Sequence, residues 1–100
     1  MALSDEDVLR TAIDELLSGA RAGDGIDEEA VAVVREGLMR LGAAWRGHSF
    51  VPKNIFLWLA PLPVALKDLG RTPAYGEEEL RRFDVLAAEV EGWIITALSD

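Results

Sequence analysis

Apolar positions recur at helical spacing along most of the chain. Val8, Leu9, Ala12, Ile13, Leu16, Leu17 and Ala20 keep to one side of a 3.6-residue repeat, while Arg10, Asp14 and Glu15 fall on the other. Ser4 stands ahead of this stripe as an N-cap, and Asp5, Glu6 and Asp7 put negative charge on the first turn, where the helix dipole favours it. With glycines at 19, 23 and 25 bracketing its end, the spacing predicts a first helix over about 5–20. Val31, Val34, Leu38, Leu41 and Trp45 form a second stripe, stepped by three, four, three and four. Val33, Met39 and Ala44 are expected to widen it. Asp27 caps this helix, and Gly47 ends it. Gly37 and Gly42 lie in its interior, five apart, so they do not share a face, and either one can mark a close helix crossing.

The third segment breaks the amphipathic rule. Ile55 to Leu66 holds no charge and no hydrogen-bonding side chain except the Trp58 indole. A segment that is apolar on every face needs cover on several sides. Pro52 suits the first turn of a helix, whereas Pro61 and Pro63 remove donors and clash with the preceding turn. The expectation is a helix over about 52–60 and a shorter one over about 63–69, ended by Gly70. A buried strand at 55–60 is the competing reading, but nothing else in the chain offers it a partner. After a loop at 71–76, three glutamates open a last helix. Its stripe runs through Leu80, Phe83, Leu86, Ala87, Val90, Trp93, Ile94, Ala97 and Leu98. The pattern therefore predicts an all-α fold: residues 1–100 as a single domain, a compact bundle of four principal helices, the third kinked or broken at Pro61/Pro63.

Charge adds an asymmetry to this picture. Residues 1–29 hold nine acids against two bases, residues 72–100 seven against two, and residues 30–71 two acids against six bases, for a net charge of −8. The acidic ends are expected to fold over the basic middle; otherwise an acidic face remains for a basic protein partner. Nucleic acid is disfavoured as a ligand because phosphate binding needs clustered positive charge. The twelve-residue apolar run falls short of the ~20 residues a bilayer requires, so no membrane partner is expected. An acidic start that is unlike a secretory signal, and the absence of cysteine, fit a cytoplasmic protein.

Candidate chemistry is sparse. Without cysteine and with His48 as the one histidine, no metal site is expected. The turn Gly23-Asp24-Gly25 fits neither a calcium loop nor a phosphate loop. If Gly25 took the glycine place of a calcium loop, Ala20 and Ala22 would fall at ligand positions, and no strand precedes the turn. The carboxylates sit where caps and solvated helix faces account for them, so no catalytic residue and no cofactor is expected. Two readings of function remain. The first is a small acidic, non-enzymatic interaction or regulatory domain. It self-associates, as a homodimer, through the apolar run, with Ile55, Phe56, Trp58, Leu59 and Leu62 at the interface. The alternative is a small-molecule-binding bundle built on the Trp45/Phe50/Trp58 aromatic cluster, with Trp45, His48 and Phe50 as ligand contacts.

Overall fold

The structure is a computed structural model that describes residues 4–47 and 53–99. Five helical segments occur among them: α1 (Asp5–Arg21), α2 (Glu28–Trp45), α3 (Lys53–Leu59), α4 (Leu62–Gly70) and α5 (Glu77–Leu98). Segments α3 and α4 make one bent helix, so the all-α bundle of four principal helices is what the chain forms. The first half of the apolar run is helical as expected, from Lys53 to Leu59, and the competing strand reading falls away.

Local chemistry sets the boundaries. The Ser4 hydroxyl accepts from the Asp7 amide at 3.1 Å, and Asp27 Oδ1 accepts from the Glu29 and Ala30 amides, each at 3.1 Å. Each cap satisfies amides that have no partner within the first helical turn. Helix α1 closes in a Schellman arrangement: the Asp24 amide reaches the Gly19 carbonyl at 2.9 Å and the Gly23 amide the Ala20 carbonyl at 3.3 Å. Gly23 takes a φ of +84° there, a backbone conformation that a side chain would strain. At the bend, Pro61 and Pro63 lack the amides that would continue the ladder to Leu57 and Leu59. The helix stops after Leu59 and restarts at Leu62, with Pro61 as N-cap and Pro63 within the first turn.

The segments pack as two antiparallel hairpins. Helix α1 lies against α2, and α4 against α5; α2 and α5 join the pairs, and α1 touches α4 only slightly. Glu28 meets Arg82 where both helices begin, and Gly42 meets Ala97 where both end, so α2 and α5 run parallel. The core draws on all five segments, with Leu9, Leu16, Val34, Leu38, Leu59, Leu62, Leu66, Phe83 and Val90 fully enclosed. Met39 and Ala44, expected on the core stripe of α2, are exposed, and the buried side runs through Ala30, Val34, Gly37, Leu38 and Leu41. The overall dimensions are 42 × 31 × 20 Å. The thin dimension is about two helix diameters, so the molecule is a two-layer slab with broad faces.

Three glycines permit this packing. A Cβ on Gly70 would stand 2.6 Å from Phe83 Cβ, one on Gly42 2.9 Å from Ala97 Cα, and one on Gly37 3.1 Å from Leu9 Cδ1. Five helical steps turn by about 140° around the axis. Gly37 and Gly42 therefore serve different neighbours, α1 and α5, and both mark close crossings.

Candidate interaction surface

The bend at Pro61 divides the apolar run between inside and outside. Ile55, Leu59, Leu62 and Leu66 are enclosed in the chain's own core, and Trp58 is partly buried against it. This corrects the expected interface: Ile55, Leu59 and Leu62 are inaccessible to a partner in the folded chain. A helix presents one stripe inward, and the other helices already cover that stripe. Phe56, Leu57 and Val64 lie on the uncovered side.

Phe56 and Val64 do not stand alone. With Ala60, Pro63 and Lys67 they form one wall of a groove, whose other wall is Glu91, Ile94, Ile95 and Leu98 of α5. The groove has a volume of about 330 Å3. Along it the exposed apolar side chains are Phe56 (49% exposed), Val64 (61%), Ile95 (57%) and Leu98 (36%). The α5 wall repeats at helical spacing, Glu91–Ile95–Leu98, stepped by four and three; on the other wall Val64 and Lys67 lie three apart on α4, with Ala60 at the bend. Lys67 and Glu91 are the groove's charged residues, and neither takes part in an ion pair among the described residues.

Phe56 is the one expected interface residue placed on this surface. Val64, Ile95 and Leu98 were not anticipated there, although Ile95 had a signal: it is a branched apolar residue that falls outside the core stripe of its own helix. Leu98 was expected in that stripe and instead sits at its edge. Whether Val64 faces in or out depends on the angle at Pro61, which the sequence leaves open.

The aromatic alternative has less geometry behind it. Other grooves lie between the beginnings of α2 and α5 (Ile26, Val31, Arg81, Val85), between their ends (Met39, Gly42, Arg46, Trp93) and on the outer side of α2 (Arg35, Met39, Arg40). None of these is lined by Trp45 or Trp58, which are each partly buried against the core. His48 and Phe50 lie outside the described residues.

The acidic ends pack over the basic middle as expected, α1 on α2 and α5 on α4, but with few direct ion pairs between them. Three ion pairs occur among the described residues, and one of them, Arg40–Asp5 at 3.8 Å, joins an end to the middle. The other two gather on Arg82, with Glu28 at 2.8 Å and Glu79 at 3.6 Å. Arg35, Arg46, Lys53, Lys67 and Arg71 take no part in these pairs. Among the described residues no group of three His, Asp or Glu side chains could hold a metal ion, and no helix is long and apolar enough to cross a membrane.

Compared with models of known protein families, with curated proteins and with solved structures, the chain matches none of them.

Proposed function

We propose that this chain is a small, non-enzymatic interaction domain that self-associates through the groove between the bent helix α3–α4 and the second half of α5. The observation that carries this reading is the gathering of Phe56, Val64, Ile95 and Leu98, all exposed, along one continuous surface. Scattered apolar side chains are ordinary on any protein surface, but a contiguous patch is characteristic of an interface. A second copy is the occupant best suited to it, because the groove carries one base and one acid on facing walls and so complements itself.

Sedimentation velocity or native mass spectrometry over a dilution series tests the reading. The wild-type chain is expected to be dimeric at high concentration and to dissociate on dilution. Ile95→Glu is expected to be monomeric throughout while keeping its helical circular dichroism, since Ile95 is exposed and its loss leaves the core intact. Met39→Glu, an exposed apolar position on α2 away from the groove, should leave the dimer unchanged. A monodisperse wild-type monomer at millimolar concentration would falsify the reading.

A further inference from the structure

Resting on that reading, we infer the arrangement of the dimer: a two-fold axis running along the groove, which sets Lys67 of each copy against Glu91 of the other. When two copies meet face to face, the axis lies in the plane between them. An axis across the groove would lay α4 on its own counterpart and bring the Lys67 end of one copy over the Phe56 end of the other, leaving both charges against apolar side chains. An axis along the groove exchanges the walls instead. It lays α4 of one copy on α5 of its partner, and Val64 and Phe56 then meet Ile95 and Leu98.

The heights of the two charges along the groove agree with this choice. Helix α4 runs antiparallel to α5 with Gly70 against Phe83, so Lys67 lies level with about residue 86, within a turn and a half of Glu91. Side chains lean toward the N-terminus of their own helix, so on antiparallel helices these two lean toward each other's level. Both residues are exposed, and both lack an ion-pair partner among the described residues. An exposed lysine and glutamate on facing walls are therefore free to pair between copies. The chain's net charge of −8 opposes association, and two such cross-pairs lower that opposition where it is felt most.

Charge reversal in trans tests the arrangement. Lys67→Glu and Glu91→Lys, each alone, would face like charge with like charge twice in every dimer and are expected to weaken it on the order of tenfold. The second variant is the more telling, because it reduces the overall net charge and would strengthen a dimer limited only by general repulsion. An equimolar mixture of the two variants, one isotopically labelled, is expected to form a mixed dimer with the wild-type dissociation constant. The double variant Lys67→Glu/Glu91→Lys is expected to recover as well. A mixture no tighter than the separate variants overturns the inference, because a Lys67–Glu91 contact within one chain cannot be repaired by another chain. If wild type dimerises and Ile95→Glu does not, but reversal at 67 and 91 changes nothing, the arrangement fails and the groove reading stands. If wild type is monomeric, both fail together.

Discussion

At the scale of single residues, glycine and tyrosine settle how closely the helices approach. Gly70 is buried with Phe83 directly above it, and a methyl group there has no flexible neighbour to displace. Gly70→Ala is expected to lower stability by about 2 kcal/mol or more, the scale of overpacking in a filled core, as measured by urea unfolding. Gly92 is the counter-case: it lies within α5, and a Cβ there would meet nothing within 4 Å. Gly92→Ala is expected to stabilise the chain by about 1 kcal/mol through helix propensity alone. Tyr75 works differently. Its hydroxyl donates to the Ala20 carbonyl at 2.6 Å and accepts from the Gly25 amide at 3.0 Å, while its ring packs on Phe83 at a centroid distance of 4.9 Å. One side chain thus ties the α4–α5 loop to the α1–α2 turn. Tyr75→Phe keeps the ring contact, strands the part-buried Gly25 amide and leaves the Ala20 carbonyl with the longer bond from the Gly23 amide. It is expected to cost roughly 1–3 kcal/mol and to speed amide exchange at Gly25.

At the scale of elements, caps and breakers define the segments, and exposed charges add little. Asp27 satisfies two amides with one carboxylate oxygen, so Asp27→Ala is expected to cost about 1 kcal/mol. Arg82 reaches Glu28 at 2.8 Å and links the beginnings of α2 and α5, but both side chains are largely in solvent. Arg82→Ala is expected to change stability by no more than about 1 kcal/mol, and thermal unfolding of the two variants at equal ionic strength compares them directly. The proline break acts by geometry. Ile55 and Leu59 before the bend, and Leu62 and Leu66 after it, all reach the core, although the helical repeat is interrupted between them. The bend also leaves Phe56 and Val64 on one wall of the groove.

At the scale of the whole molecule, two hairpins joined through α2 and α5 make a slab about two helices thick. Such a shape leaves much of each outer helix uncovered. Where those outer sides are charged, as on α1, water suffices. Where they carry Phe56, Val64, Ile95 and Leu98, water is a poor neighbour, and association offers a better one. The proposed association would also couple to stability, since whatever binds only the folded chain raises its melting temperature with concentration. The wild-type melting temperature is therefore expected to rise by several degrees over a roughly hundredfold range of concentration, and that of Ile95→Glu to stay constant, by differential scanning fluorimetry.

The sequence by itself determined the elements. Helix starts at Asp5, Glu28 and Glu77 and ends near Arg21, Trp45 and Leu98 were legible because caps, acidic first turns, glycines and prolines act within a few residues of where they stand. So was the break at Pro61, a missing amide being a local fact. Which residues an element buries is not local. The all-round apolarity of the Ile55–Leu66 run showed that it needed cover, but not which side its own chain would cover. The tertiary structure decided that Ile55, Leu59 and Leu62 lie inside and that Phe56 and Val64 face out. Likewise, Gly37 and Gly42 were visible as weak points, and only the packing assigned one to α1 and the other to α5. The groove is the clearest case: its two walls lie some thirty residues apart in sequence. No periodicity within either wall records their meeting, because α4 and α5 are brought together by the core beneath them.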